Sequence, residues 1–371
     1  MNRSWIKLIL TVVAASVLTL AGTARAESAQ TYKVGATQRS IVPAKPTYWR
    51  GAKTHELITS VWYPATADAI EAPFLVGPPD APLFNAGNFA RGATLSPAPE
   101  KFPLIVISHG TGGSAAQMAW LGTALAAQGY IVAAVNHPGN NILEPYTVEG
   151  FSVWWERAND LSSVIDAMLQ DPTFGPRIDA NKIGAAGFSL GGYTMMAIAG
   201  AITKPHRILD FCASKLADDA CKPAPEFPNF WDKAQQQLKT DVEMQAAYRE
   251  ADQSHRDPRI RAVFAIAPAL GPVFPVDTLK AVTIPVEIVA GDGDHIVPVD
   301  TNARYFAANI LHAKLTVFPG GVGHYTFLAA CTDAGRSVLP QYCTDEKGVD
   351  RVSVHKDVND RAIAFFKSNL N

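Results

Sequence analysis

The sequence predicts an α/β fold in which a mostly parallel sheet is covered by helices on both faces. From residue 103 onward, short apolar runs alternate with amphipathic helical patterns. Strands and helices that alternate in this way form parallel sheets with both faces buried. A Gly-x-Ser-x-Gly pentapeptide at residues 187–191 lies between one such strand and the next helix. Such a pentapeptide is typical of a sharp strand-to-helix turn in this kind of fold.

The individual elements follow from the spacing of apolar residues. Residues 57–63 form the first predicted strand, and residues 64–102, rich in Pro, Ala and Gly, are predicted to be surface loop. Later strands are predicted at residues 104–107, 130–135, 182–186, 262–267, 286–290 and 314–318. Helices are predicted at residues 114–128 and 156–170, from the pentapeptide to residue 199, and at residues 358–370.

Residues 202–258 interrupt this alternation. They contain helical patterns and no convincing strand. We predict that they form a mostly helical, cap-like insertion in the α/β domain. The alternative is a peripheral excursion far from any site.

The first 26 residues have the pattern of a secretory signal peptide. Arg3 and Lys7 give a positive start, residues 6–20 are mostly apolar, and a small-x-small site ends at Ala26. The apolar stretch is shorter than the ~20 residues that a spanning helix needs, so cleavage after Ala26 is favoured over an uncleaved anchor. We therefore expect a periplasmic or secreted domain of residues 27–371 with no stable membrane anchor.

The charge balance argues against one class of partner. Removal of the first 26 residues, which hold three basic side chains and no acidic one, takes the net charge from −2 to −5. A nucleic-acid binder usually carries a basic surface, so no nucleic acid is expected as a partner.

Four cysteines all lie in the second half of the chain. An even number in an exported chain predicts disulfides, and we expect the two local pairs Cys212–Cys221 and Cys331–Cys343. Zinc is less favoured, because no Cys-x-x-Cys pair is present.

Ser189, in the centre of the pentapeptide, is the candidate nucleophile. A strand precedes the motif and a helix follows it, which is the setting of a nucleophile elbow. The turn is so tight that its flanking residues must be small, which explains Gly187, Gly191 and Gly192. The alternative is a Gly-rich turn in which the serine only caps the helix.

A serine hydroxyl needs a general base, and the base needs an orienting acid. In enzymes with this elbow, the acid and then the base follow the serine along the chain. Asp294 is preferred as the acid over Asp292, because the -x-x-Val-Pro that follows Asp294 typically closes this loop; Asp292 is then a turn residue or cap. His324, flanked by glycines after the last strand, is the predicted base. His295 and His312 are not placed to serve.

The negative oxygen formed by attack on a carbonyl needs preorganised N–H donors. We predict the backbone N–H of Leu190, directly after the nucleophile, and that of Thr111 in the loop at residues 108–113, with Gly110 as the runner-up. A plain strand-to-helix turn is the alternative for that loop. No Gly-Lys-[Ser/Thr] follows its glycines, so a nucleotide site is not expected.

The sequence leaves the roles of three further side chains undecided. His137 follows the next strand, and a structural role is preferred for it over a place in the pocket. Trp154 and Trp155 are consistent either with pocket aromatics or with core residues.

At these residues the chain resembles bacterial α/β-hydrolases of the dienelactone-hydrolase-like, platelet-activating-factor-acetylhydrolase-like group. The resemblance spans roughly residues 30–371 except the insertion. The motifs that carry it are Val61-Trp62-Tyr63-Pro64, Ser108-His109-Gly110, Gly187-Phe188-Ser189-Leu190-Gly191-Gly192, Gly291-Asp292-Gly293-Asp294 and Gly323-His324-Tyr325-Thr326-Phe327. It implies the α/β-hydrolase fold, action on carboxylic esters and lactones with small acyl groups, and no metal or other cofactor.

The resemblance also assigns roles to residues. It makes Ser189 the nucleophile, Asp294 the acid and His324 the base. Dienelactone hydrolases themselves use a cysteine nucleophile, whereas this chain has Ser189, so dienelactone is not the expected substrate.

The sequence thus predicts a secreted serine hydrolase that cleaves small-molecule esters or lactones through an acyl-enzyme. A lipase- or polyesterase-type activity with the same three residues is one alternative. A non-catalytic binding protein on the same scaffold is another. The sequence makes no prediction of oligomeric state.

Overall fold

The structure is a computed structural model that describes residues 31–45, 47–222 and 226–370. The predicted signal peptide and its cleavage site lie outside these residues. From Thr31 onward the chain forms one compact unit.

Eleven strands and twelve helices form from the described residues. The strands are β1 (Lys33–Ile41), β2 (Leu57–Ala65), β3 (Ala72–Val76), β4 (Phe84–Arg91), β5 (Phe102–Ser108), β6 (Ile131–Val135), β7 (Ile178–Phe188), β8 (Ile260–Ile266), β9 (Val286–Gly291), β10 (Ala313–Phe318) and β11 (Ala330–Cys331). The helices are α1 (Ala119–Ala127), α2 (Val148–Ser152), α3 (Glu156–Gln170), α4 (Leu190–Ala199), α5 (Arg207–Cys212), α6 (Phe230–Thr240), α7 (Val242–Glu250), α8 (Val276–Lys280), α9 (Ala303–Asn309), α10 (Asp333–Val338), α11 (Pro340–Cys343) and α12 (Arg351–Asn369).

The strands pair in the order β10-β9-β8-β7-β5-β6-β2-β1-β4-β11, with β3 added on β4. The six strands from β10 to β6 are parallel to one another, whereas β2 is antiparallel to both β6 and β1. This confirms the predicted mostly parallel sheet. Because β5, β7, β9 and β10 run in the same direction, the loops that follow them lie at one edge of the sheet.

Two apolar cores cover the two faces of the sheet. Side chains alternate along β5, so that Leu104 and Val106 join one core while Ile105 and Ile107 join the other. Helices α3, α4 and α9 contribute to the first core, and α1 and α12 contribute to the second. Helices therefore lie on both faces, as the sequence predicts.

The prediction of surface loop for residues 64–102 is wrong. This segment contains β3 and β4, an antiparallel pair, and β4 also pairs with β1 and β11. Strand β4 reads Phe-Asn-Ala-Gly-Asn-Phe-Ala-Arg and has little intrinsic strand preference. Pairing and burial can override such a preference, and Phe84 and Ala86 of β4 are buried in the second core. Strand β1 is also absent from the predicted strands, because most of its residues are polar or small.

The described residues of the insertion form helices α5, α6 and α7 and no strand, as predicted. Phe230 and Met244 of the insertion pack with Val148 and Phe151 of α2 in a small apolar cluster. The insertion is thus anchored beside the loop that follows β6. None of the helices in the described part of the chain has the length and apolar character needed to cross a membrane.

Candidate active site

Ser189 lies at a strained turn between β7 and α4. Its φ and ψ are 57° and −117°, in a region that costs a non-glycine residue roughly 1–3 kcal/mol. Its N–H donates to Ile266 O at 2.9 Å, which helps to hold the conformation. A Cβ at Gly187 would collide with the backbone of Gly191, and one at Gly191 would collide with Ser108 O. Close packing of backbone therefore explains the glycines of the pentapeptide.

The structure brings Ser189, His324 and Asp294 together. His324 Nε2 lies 2.9 Å from Ser189 Oγ, and His324 Nδ1 lies 2.7 Å from Asp294 Oδ2. Asp294 Oδ1 accepts a hydrogen bond from the N–H of Val297 at 2.7 Å. The residues are only 8%, 5% and 4% exposed. Because the carboxylate can only accept, His324 carries its proton on Nδ1 and presents a lone pair at Nε2 to the serine hydroxyl.

Asp292 has a different environment. Its two carboxylate oxygens accept hydrogen bonds from the N–H groups of Gly320 and Gly321, at 3.0 and 2.7 Å. Asp292 thus stabilises the turn that leads to His324. This is the role of turn residue or cap that the sequence predicts for Asp292 if Asp294 is the acid. His295 and His312 are exposed.

A second set of side chains, missed at the sequence level, braces the loop that carries His324. Thr326 Oγ1 donates to Asp345 at 2.7 Å, and Asp345 is held by Arg351 through two bonds of 3.0 Å. His355 lies 2.8 Å from Thr326 O and stacks on Trp120. Burial lowers the pKa of His355 to about 4, so its ring is neutral near pH 7 and donates from Nε2.

Two disulfides join Cys212 to Cys221 and Cys331 to Cys343, with Cα–Cα distances of 5.4 and 5.8 Å. These are the two local pairs expected from the sequence. Arg351 Nη1 lies 3.4 Å from Cys331 Sγ, so the second disulfide adjoins the set that braces the His324 loop.

The predicted oxyanion donors border the same cavity as Ser189. A Cβ at Gly110 would lie 3.3 Å from Ser189 Cβ, and Gly110, Thr111 and Leu190 line the same cavity as Ser189. Within the residues that the structure describes, the N–H groups of Thr111 and Leu190 donate to no protein acceptor.

The cavity above Ser189 has a volume of about 520 Å³. Its walls come from the sheet-end loops, from the insertion and from the segment between Cys331 and Cys343. The insertion contributes Ile208, Asp219, Ala220, Lys222, Glu226, Phe230 and Trp231. The insertion thus borders the candidate site, and the alternative of a distant excursion is wrong.

The open questions on His137 and the two tryptophans also find answers. Trp154 lines the cavity. Trp155 is fully buried, and its ring N–H donates to Ala247 O of the insertion at 3.2 Å. His137 is buried and hydrogen-bonded to Ser108 and Asp160, so its role is structural.

Among the described residues, no group of three His, Cys, Asp or Glu is arranged to hold a metal ion.

Comparison with known proteins agrees with this architecture. The family model of platelet-activating factor acetylhydrolase, isoform II, matches residues 86–150. Cutinase est2 of Thermobifida alba is 30% identical over 128 residues, which are 34% of this chain and 39% of the cutinase. Cutinase 2 of Thermobifida cellulosilytica is 28% identical over 131 residues, 34% of this chain and 46% of the relative. The chain thus spans less than half the length of these relatives.

A solved structure extends the likeness to nearly the whole chain. The ferulic acid esterase from Streptomyces cinnamoneus aligns with a TM-score of 0.57 at 19% identity, and covers 93% of this chain and 91% of that one. At this identity the likeness concerns the fold alone. Together with the sheet topology, it shows that this chain has the α/β-hydrolase fold.

Proposed function

We propose that this chain is an exported serine hydrolase that cleaves small-molecule carboxylic esters or lactones through an acyl-enzyme on Ser189. The hydrogen-bonded series from Ser189 through His324 to Asp294 carries the proposal. A hydroxyl beside an imidazole whose tautomer is set by a carboxylate is the arrangement that activates serine. The likeness to cutinases supports an ester as the bond that is cleaved.

Acylation begins when His324 Nε2 takes the proton of Ser189 and Ser189 Oγ attacks the ester carbonyl. The negative oxygen of the tetrahedral intermediate accepts hydrogen bonds from the N–H groups of Leu190 and Thr111. One such donor is typically worth roughly 10²–10³-fold in rate. As the intermediate collapses, His324 returns the proton to the leaving alcohol, and Asp294 stabilises the imidazolium in between.

Deacylation repeats these steps with water as the nucleophile. His324 takes a proton from water, the hydroxide attacks the acyl carbonyl, and Ser189 leaves with the proton that His324 returns. The products are a carboxylic acid and the free enzyme. With a lactone, the alcohol and the acid are parts of one molecule.

Export to the periplasm or the medium is supported by two observations. Disulfides persist in oxidising compartments, and this chain contains two. The first 26 residues have the composition of a signal peptide.

Cleavage of lipid or polymeric esters by the same residues is the second candidate. The cutinase relatives favour it, whereas the walls that the insertion adds to the cavity favour small substrates. Turnover of short p-nitrophenyl esters, compared with that of long-chain esters and a polyester film, separates the two.

A fluorophosphonate probe tests the proposal directly. The wild-type protein should be labelled on Ser189, and Ser189→Ala should lose both the label and ester turnover, with kcat at least roughly 10⁴-fold lower. Ser163→Ala, on α3 and away from the cavity, is the matched control and should keep both. A wild-type protein that neither reacts with the probe nor cleaves esters would be a binding protein on this scaffold.

A further inference from the structure

A buried polar network lies behind the loop that carries Gly110 and Thr111. It includes Ser108 and His109 at the end of β5, His137 after β6, and Arg157 and Asp160 on α3, each at most 2% exposed. Charged side chains are rarely buried so fully unless they are paired and hydrogen-bonded. The network adjoins the candidate site, but the acylation chemistry described above does not use it.

One part of this network has the same order of groups as the candidate active site. Ser108 Oγ lies 2.8 Å from His137 Nε2, and His137 Nδ1 lies 2.7 Å from Asp160 Oδ2. Asp160 is also paired with Arg50 at 2.8 Å. Since Ser108 is 0% exposed, no substrate reaches it, and the series fixes the position of His137 instead.

His137 in turn determines the state of His109. The N–H of His137 donates to His109 Nε2 at 3.1 Å, so the proton of the His109 ring is on Nδ1. That nitrogen lies 2.6 Å from Gly110 O and donates to it. Burial, with the nearby Arg157 guanidinium, lowers the pKa of His109 well below its usual value, which keeps the ring neutral.

Arg157 binds the same short stretch of backbone. Its Nη1 donates to His109 O at 2.6 Å and its Nη2 to Gly110 O at 3.4 Å. Nη2 also donates to Asn140 Oδ1 at 3.2 Å, and that oxygen accepts the N–H of Gly112 at 2.7 Å. Burial lowers the pKa of Arg157 to about 9, so the side chain is still a cation at neutral pH.

These bonds, together with the one that the N–H of Gly113 donates to Gly110 O at 3.2 Å, fix the orientation of two peptide groups. In a trans peptide the C=O of one residue and the N–H of the next point in opposite directions, and the only cis peptide in the described chain is Ala98–Pro99. With His109 O and Gly110 O turned toward Arg157, the N–H groups of Gly110 and Thr111 point away from it. Both residues line the cavity, so the opposite side is the side of Ser189.

We propose that His109 and Arg157 are positioning residues that orient the backbone of Gly110 and Thr111, so that the N–H of Thr111 points toward the oxyanion of the intermediate. Hydrogen bonds in series also polarise one another, so a cation on the two carbonyls makes both N–H groups stronger donors. The proposal rests on the proposed ester hydrolysis. It identifies a purpose for the Ser108-His109-Gly110 motif that the nucleophile, acid and base leave unexplained.

The test measures kcat, KM and inhibitor affinity for Arg157→Met on a short p-nitrophenyl ester. Misorientation of the donors should lower kcat by roughly 10²-fold and change KM by less than about threefold, since the donors act on the intermediate more than on the bound ester. A short alkyl trifluoromethyl ketone, to which Ser189 adds to form a hemiketal oxyanion, should lose affinity by a similar factor. The matching methyl ketone, which forms no stable adduct, should not.

Further variants separate positioning from folding. Arg157→Lys keeps the cation on a single donor nitrogen and should recover part of kcat. His109→Phe keeps the ring volume and should lower kcat even if Arg157→Met does not fold. Arg177→Met is the matched control, because Arg177 also binds backbone carbonyls, those of Ser96, Pro99 and Glu100, but none of these residues lines the cavity. Its kcat should stay within about twofold of the wild type.

The outcomes are distinct. Folded Arg157→Met and His109→Phe proteins with unchanged kcat, or with equal losses of affinity for both ketones, would overturn the positioning role while the proposed function stands. Absence of ester turnover and of probe labelling in the wild-type protein would overturn both.

Discussion

The sheet-end loops and the insertion contribute to the same cavity in different ways. Ser189, Asp294 and His324 follow the parallel strands β7, β9 and β10 and are almost fully buried. The insertion supplies walls such as Phe230 and Trp231 and none of the three hydrogen-bonded groups. In open α/β sheets, ligands bind outside the carboxyl ends of the strands. The difference teaches that the sheet positions the three hydrogen-bonded groups, while the insertion borders the cavity beside them.

The largest effect is expected from a change of Asp294, the proposed acid, which lies in a sheet-end loop. Asp294→Asn should lower kcat by roughly 10⁴-fold, because the amide no longer favours the His324 tautomer that accepts the serine proton. Asp292→Asn, in the same loop, is the matched control and should cost less than about tenfold, since its amide oxygen can still accept a glycine N–H. Steady-state kinetics on a short ester measure both variants. A far larger loss in Asp292→Asn would transfer the role of the acid to Asp292.

The two disulfides offer a direct contrast between the regions. Cys331→Ser with Cys343→Ser should lower kcat by up to roughly 10²-fold, because the segment adjoins Arg351 and the His324 loop, and a shift of about 1 Å in a base can cost that much. Cys212→Ser with Cys221→Ser, in the insertion, should leave kcat within a fewfold. Kinetics under identical buffer conditions provide the comparison. Equal losses in the two double variants would contradict it.

Acid should weaken the part of the molecule that holds the His324 loop. The folded pKa of His355 is lowered by burial to about 4, against about 6.5 when unfolded. Its contribution to stability is therefore present above pH 6.5 and is lost as the pH falls toward 4, because only the unfolded state then takes up the proton. Between pH 7.5 and 4.5, the free energy of unfolding of the wild type should fall by roughly 2–3 kcal/mol more than that of His355→Gln. Urea unfolding of both proteins at the two pH values measures this difference. Parallel pH profiles for the two proteins would show that His355 is not the sensitive group.

The smallest effect is expected in the insertion. Trp231→Ala removes a large wall and should raise the preference for long over short acyl chains by about tenfold, within the range that changes in an apolar pocket produce. The kcat for the best substrate should change little. Val242→Ala is the control, since Val242 is exposed on α7 and away from the cavity. An unchanged ratio of kcat/KM across p-nitrophenyl esters would mean that this wall does not limit the substrate.

Local patterns in the sequence are sufficient to predict much of the fold. Helix α3 was predicted at residues 156–170 and observed at Glu156–Gln170, because its apolar side chains recur at helical spacing toward the sheet. Strand β4 is absent from the prediction because it pairs with β1 and β11, which are distant in sequence, and β3 is absent because it is added on β4. Such pairing leaves no local trace.

The site shows the same division between local and distant information. Ser189, Asp294 and His324 occupy short motifs at strand ends, so the sequence alone could nominate the three side chains that the structure joins by hydrogen bonds. Arg157 was missed, although a signal was present: it falls four residues before Leu161, on the apolar side of α3 that also holds Val164 and Met168. A charged side chain within an apolar stripe indicates a buried partner. That partner, the backbone of His109 and Gly110, is not visible from α3 alone.

The pairing of β4 with β11 has a consequence for how the molecule is made. Thr332, beside β11, bonds to Pro82, 250 residues earlier in the chain, and the segment that follows His324 completes this contact. Contacts between such distant residues form late and slow the search for the native state. A chain that is synthesised from its N-terminus therefore contains Ser189 long before His324 can pack beside it. With the export proposed above, the side chains of Ser189 and His324 meet only once the polypeptide is complete.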